Sequence, residues 1–271
     1  MIADSNARLA AARRLTRRQA RREAGRFLAE WAQAVREALR HPKGVVQVYA
    51  TAEAVERNVA LIDEAKAAGV RVDEISTRAA AALSETVTPQ GLVAVCRKID
   101  IPLRKMFASQ PRLVAVLVDA NDPGNAGAIL RTADAAGAQA VVLAGESVDV
   151  YNGKAVRASA GSLFHVDVVV DADVADLIDR ARKAGCIVRA ATGSGDHDIE
   201  RLGSGDEREL ARPTVWLFGN EAHGLPATAI EAADQAVQVP IYGSAESLNV
   251  AAAAAICLYA SARAQHLVPA G

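Results

Sequence analysis

Three short segments hold the residues whose types and spacing could do chemistry. In Asn121-Asp-Pro-Gly-Asn-Ala-Gly-Ala-Ile-Leu-Arg131 a strand turns into a helix. Pro123 and Gly124 shape the turn, Asn125 is suited to capping the helix, and Gly127 permits close backbone approach. Arg131 lies six residues past Asn125, less than two helical turns on, so both can face one edge of a site. A cation beside Leu130 and Ala133 is costly to bury unpaired, which marks Arg131 as a functional candidate. Phe218-Gly-Asn-Glu-Ala-His-Gly-Leu225 sets Glu221 near His223, and either could accept a proton or orient a hydroxyl. Pro240-Ile-Tyr-Gly-Ser-Ala-Glu-Ser-Leu-Asn249 runs into the small-residue helix of Ala251–Ala255. Ser247 has the type of an N-cap there, and Asn249 falls in the first turn, where free N–H groups seat a negative charge or a phosphate. Read singly, the three segments are a cap, a polar turn and a cap. No Gly-x-Gly-x-x-Gly and no Walker A sequence follows the first strand of this half, which disfavours a dinucleotide site and phosphate-cradling nucleotide chemistry.

The elements that must position these segments alternate strictly. Apolar strands are expected at Leu113–Val118, Ala140–Leu143, Val166–Val170, Ile187–Ala190, Thr214–Phe218 and Ala236–Val239, with helices between them and a last helix over Ser247–Gln265. Near-continuous Val/Leu/Ile strands of this kind make a parallel sheet covered on both faces. Ligands of such sheets bind outside the carboxyl ends of the strands. The polar loops Asp119–Gly127, Thr192–Asp196, Gly219–Gly224 and Pro240–Asn249 all fall at that edge, so the layout alone predicts one site built from four loops.

The first third of the chain reads differently. A helix is expected over residues 8–40, then strands at Val45–Tyr49, Val70–Val72 and Gly91–Cys96 with helices at Ala52–Ala68 and Thr77–Leu83: a small α/β module spanning residues 1–97. Residues 98–112, with two prolines and little periodicity, read as a linker to a second domain over 113–271. Residues 1–45 carry eleven Arg and Lys against four Asp and Glu, whereas the whole chain carries 31 against 32. A basic arm on an acidic body suits a polyanionic partner met by one region, or equally a solvated helix face. Cys96, Cys186 and Cys257 are isolated and odd in number, offering neither a disulfide framework nor metal-ligand spacing, and no signal or membrane segment is evident. A cytoplasmic protein without a metal is the expectation.

The three segments, in this order, resemble the motifs of the SpoU (TrmH) branch of the SPOUT methyltransferases. Asn125-x-Gly127-x-x-x-Arg131 matches the first, Gly219-Asn-Glu221-x-x-Gly224 the second, and Val239-Pro-Ile followed by Ser247-Leu-Asn249 the third. Residues 1–97 resemble the L30e-like substrate-binding domain of the rRNA-modifying members, best at Thr88-Pro-Gln-Gly-Leu-Val-Ala-Val95. The chain departs from the family at Glu30-Trp31 and Glu221-Ala222, where Glu-Gly is usual. The resemblance implies a parallel-sheet α/β domain with a deep trefoil knot, and a homodimer formed through the knot region. It implies S-adenosylmethionine as cofactor, held near Thr192, Gly193, Gly219, Val239, Ile241, Leu248 and Asn249. Methyl transfer to a ribose 2′-hydroxyl would be served by Arg131, Asn125, Glu221, Ser247 and Asn249, with Arg131 completing the site of the other subunit. Arginine keeps its proton to pH ~12, so Arg131 suits a phosphate clamp and polariser better than a base. The L30e-like domain favours 23S rRNA over tRNA as substrate. A catalytically silent RNA-binding factor of the same fold is disfavoured by intact Arg131, Glu221 and Asn249. The arm arginines Arg13, Arg14, Arg17, Arg18, Arg21 and Arg22 would anchor structured RNA through its phosphates.

Overall fold

The computed structural model describes residues 1–42, 44–204 and 207–267. Two compact units are formed, one by Met1–Ile99 with Asp149–His165, the other by Asp100–Val148 with Val166–Gly271.

The first unit contains α1 (Ala7–Arg14), α2 (Arg18–Ala24), β1 (Arg26–Glu30), α3 (Ala32–Arg40), β2 (Val45–Ala50), α4 (Ala52–Arg57), α5 (Val59–Ala67), β3 (Arg71–Glu74), α6 (Thr77–Ala81) and β4 (Leu92–Arg97). Its sheet runs β1-β4-β2-β3. The single helix expected over residues 8–40 is therefore three helices and a strand. Gly25, at φ 59°, ends α2 in the left-handed conformation that glycine adopts without strain. Phe27, Leu28 and Ala29 are then buried in β1, antiparallel to β4 with Phe27 opposite Cys96. The apolar residues that mimic one helical stripe thus belong to two kinds of element. The helix expected over Ala52–Ala68 also divides, because Asn58 leaves the helical conformation and its amide donates back to Ala54 O at 2.8 Å.

Residues 149–165, which include α9 (Gly153–Ala158), pack into this unit through two buried charge pairs. Arg21 is 3 % exposed; its guanidinium meets Asp149 at 2.7 Å and donates to Leu15 O and Thr16 O at 2.9 and 2.8 Å. Arg157 meets buried Glu30 at 2.8 Å. Arg21 is thus a structural residue and leaves the set of RNA-facing arginines, since its donors are all engaged away from solvent. Arg14, Arg17, Arg18 and Arg22 are exposed, and Arg13 is half-buried.

The second unit is a seven-stranded sheet in the order β7-β6-β5-β10-β8-β11-β9, every pair parallel. Its elements are α7 (Leu103–Ala108), β5 (Leu113–Val118), α8 (Pro123–Ala135), β6 (Ala140–Ala144), β7 (Asp167–Ala172), α10 (Val174–Lys183), β8 (Ile187–Ala191), β9 (His197–Asp198), α11 (Ile199–Ser204), α12 (Glu207–Ala211), β10 (Thr214–Phe218), α13 (Ala227–Ala232), β11 (Gln235–Gln238) and α14 (Val250–Leu267). The strands fall where the Val/Leu/Ile runs place them; only the two-residue edge strand β9 has no such signal. The segment 98–112, expected as a linker, holds α7, whose Met106 and Phe107 sit in the core with Val114, Val116 and Val142. Beneath the sheet, buried Arg189 on β8 is held by Gln235 Oε1 at 2.8 Å, Glu209 O at 2.7 Å and the Thr214 hydroxyl, and lies 5.9 Å from the Trp216 ring. Burial pushes its guanidinium down to about 10, against the opposing pull of Glu209.

Candidate active site

The order β5-β10-β8-β11 brings the carboxyl ends of four adjacent parallel strands together. The loops that follow them enclose a cavity of about 740 Å³, within the range of small-molecule sites. Every residue expected at the cofactor lines it: Thr192, Gly193, Gly219, Val239, Ile241, Leu248 and Asn249. So do Asn125, Glu221 and Ser247.

Local hydrogen bonds explain how each side chain is presented. Asp122, not Asn125, caps α8: its carboxylate accepts from the backbone N–H of Gly124 and Asn125. This frees the Asn125 amide, whose Nδ2 donates to Glu221 Oε1 at 3.1 Å while its Oδ1 accepts from Asn249 Nδ2 at 3.2 Å. At the third segment Asn249 rather than Ser247 does the capping, its Oδ1 accepting from Ala251 N at 2.9 Å just before α14 begins. Ser247 is left exposed on the cavity wall. One polar chain, Asn249 to Asn125 to Glu221, therefore joins the three sequence segments.

The Glu221 carboxylate also accepts from the backbone N–H of Asn121 at 3.1 Å and of Asp122 at 3.2 Å. Burial alone would push its carboxyl up, but these bonds and the one from Asn125 outweigh it and hold the group below the ordinary carboxylate range. Glu221 is thus a committed anion that orients Asn125, and a poor proton acceptor. The exposed His223 does not line the cavity.

One residue lining the cavity, Asn220, was given no role by the sequence. Asn220 donates to Asp119 O at 2.7 Å and accepts from the N–H of Ala222 at 2.8 Å, so it closes the turn that carries Glu221. Its signal was its position between Gly219 and Glu221, where an amide can hold both sides of a tight turn. Glycine is required beside it: a Cβ on Gly219 would lie 2.2 Å from the Gly224 carbonyl carbon.

Arg131 sits on α8 but is exposed, does not line the cavity, and has no ion-pair partner among the described residues. It is therefore not the buried cation that its apolar sequence neighbours suggest; what distinguishes it is a guanidinium left uncommitted on the helix that carries Asn125. The cavity wall itself carries two charged residues among the described ones, Glu221 and Glu246, both anionic. With glycine at 193, 219 and 224 and apolar Val239, Ile241 and Leu248, such a wall suits a flat base on a cationic ligand and opposes an anionic dinucleotide.

Comparison with known proteins decides the family. The model of the SpoU rRNA methylase family matches residues 112–259, more than half of the chain. The chain belongs to the SpoU family. A second model, RNA 2′-O ribose methyltransferase substrate binding, matches residues 32–102. This SpoU protein is 35 % identical over 91 % of its length to the 23S rRNA (guanosine(2553)-2′-O)-methyltransferase RlmP of Bacillus subtilis, covering 92 % of that protein. It superposes on an AdoMet-bound rRNA methyltransferase from Sinorhizobium meliloti with a TM-score of 0.84 at 30 % identity, covering 99 % and 98 % of the two chains. The AdoMet complex of the SpoU methyltransferase AviRb from Streptomyces viridochromogenes gives 0.81 at 30 % identity over 97 % and 99 %. The chain is thus an S-adenosylmethionine-dependent RNA 2′-O-methyltransferase. Among the described residues no helix is long and apolar enough to cross a membrane.

Proposed function

We propose that this enzyme methylates a ribose 2′-hydroxyl of 23S rRNA, working as a homodimer through the α14 face and the knot that the family implies. The observation that carries the reading is the Asn249–Asn125–Glu221 chain at the mouth of an anionic cavity, with the free guanidinium of Arg131 on the same helix as Asn125. The bound cofactor supplies an electrophilic methyl on a sulfonium. Thr192, Gly193, Gly219, Val239, Ile241, Leu248 and Asn249 would hold it, and Glu221 and Glu246 favour its positive charge.

The residues of the chain then have separable tasks. Glu221 fixes the Asn125 amide; Asn125 and Asn249 orient the ribose and the cofactor; Ser247 offers a hydroxyl at the cavity wall. Arg131 clamps the target phosphate and polarises the hydroxyl, keeping its own proton, so the hydroxyl's proton would pass to solvent water as its oxygen takes the methyl. Aligning nucleophile and methyl is the larger contribution, because transfer neutralises the charge of the sulfonium. Since Arg131 lies outside its own cavity, the reading has it complete the partner's site. Half-exposed Ile256 and Tyr259, three positions apart on α14, supply an apolar face for that pairing. The exposed arm arginines would hold RNA phosphates.

rRNA is preferred to tRNA because the substrate-binding model matches the first unit and the relative spanning both units is named as a 23S rRNA enzyme. Mapping 2′-O-methyl sites in 23S rRNA and tRNA from cells with and without the gene tests this. One 23S rRNA position should lose its methyl; a loss in tRNA alone would reject the reading.

A further inference from the structure

Trp31 has a backbone that its side chain does not favour. It lies between β1 and α3 at φ 74°, ψ 145°, close to the region that only glycine occupies freely. The neighbours on both sides impose it. Glu30 is locked by Arg157 at 2.8 Å and by the Ser84 hydroxyl, and α3 is anchored by buried Ala34, Val35 and Ala38, its first turn closing on the Trp31 carbonyl at 3.0 Å. A bulky residue held in a strained backbone normally repays the strain by packing. Trp31 does so only in part: it is 38 % exposed, and among the described residues it takes part in none of the ring contacts and its indole N–H has no acceptor. The other tryptophan, Trp216, is fully buried and bonded to Ser261 at 3.0 Å, which is the ordinary fate of an indole.

We propose that Trp31 is a stacking platform for an unpaired nucleobase of the RNA substrate. The occupant follows from where the indole stands: residue 31 immediately precedes the segment matched as RNA 2′-O ribose methyltransferase substrate binding. An exposed aromatic face in an RNA-binding unit gains from a splayed base what it lacks from the core, and its free N–H can meet a base or phosphate oxygen. The adjacent carboxylate of Glu30 is neutralised by Arg157, so it does not repel the strand. The proposal rests on the first unit being an RNA-binding module.

Because Trp216 is buried, the fluorescence change on adding RNA reports Trp31. Titrating the full chain with transcribed 23S rRNA fragments and with a short single-stranded oligoribonucleotide should quench the Trp31 emission. In W31G the backbone strain is relieved, so thermal stability should hold or rise while RNA affinity falls roughly tenfold; W31F should keep most of the affinity. Unquenched Trp31 on bound RNA, or W31G binding RNA as tightly as the unaltered chain, overturns the stacking role and leaves the RNA-binding module standing. Failure of the unaltered chain to bind either RNA overturns both. Loss of self-association in W31G with RNA affinity unchanged would assign the indole to a second copy of the chain and also overturn the proposal.

Discussion

Asn249 Nδ2 lies 3.2 Å from Asn125 Oδ1, joining residues 124 positions apart across the cavity mouth. The other end of the same Asn125 amide donates to Glu221 at 3.1 Å, so the side chain needs both a donor and an acceptor. Asn125→Asp keeps the shape but sets a second carboxylate against Glu221 and deletes the donor. Single-turnover rates should fall further for Asn125→Asp than for Asn125→Ala, by roughly tenfold, because like charges at this distance repel where a truncation only removes a bond. Equal rates for the two variants would remove the polar chain from the mechanism.

The depressed carboxyl of Glu221 sets a sign for pH dependence. A group whose folded pKa lies below its unfolded value, about 4.3 for Glu, stabilises the fold above that value and loses the contribution as pH falls through the folded pKa. Urea midpoints measured from pH 7 to pH 3 should therefore drop more steeply for the native chain than for Glu221→Gln. In activity, Glu221 stays ionised across neutral pH, so the pH–rate profile between 6 and 9 should keep its shape in a partly active variant.

Arg131→Ala should cut turnover by about 100-fold or more while cofactor affinity by calorimetry stays within about twofold, since the guanidinium lies outside the cavity of its own chain. If Arg131 serves the partner's site, mixing inactive Arg131→Ala with inactive Asn249→Ala should regenerate one intact site per mixed dimer. No recovery on mixing would place the arginine in its own subunit's chemistry.

The arm gives a test by charge rather than by deletion. Leu9, Ala12 and Leu15 are core residues of the first unit, so removing the first 25 residues would damage the fold itself. Changing exposed Arg14, Arg17, Arg18 and Arg22 to Gln keeps that core. The slope of log affinity for rRNA against log salt should flatten by about one unit for each phosphate that the chain no longer neutralises. An unchanged slope would return the arm to a solvated face.

Arg189→Ala should be among the more destabilising single changes. It strands Thr214, Gln235 and Glu209, at the lower end of the roughly 3–5 kcal/mol typical of a broken buried pair, because the Glu209 side chain keeps 29 % exposure. Denaturant unfolding at pH 7 measures it.

Periodicity and composition located the second unit well, because a parallel sheet buried on both faces writes its strands as unbroken Val/Leu/Ile runs such as Leu113–Val118. The loops of the site followed from that order alone. What misled was local. Asn125 and Ser247 have the residue types of caps, but Asp122 and Asn249, just as suitable, stand where the backbone needs them. Phe27 and Leu28 fit a helical stripe by spacing, and only Gly25 marks the change of element. The buried state of Arg21 and Arg189 depends on partners 128 and 46 positions away, which no local pattern carries.

The return of residues 149–165 to the first unit has a consequence for synthesis on the ribosome. Arg21 and Glu30 emerge early, yet Asp149 and Arg157, which neutralise them, follow more than a hundred residues later. The amino-terminal unit therefore lacks the partners of these two charges until residues 100–148 of the second unit have been translated. The leading unit is therefore completed only once the chain beyond residue 148, which begins after a first stretch of the other unit, has been made.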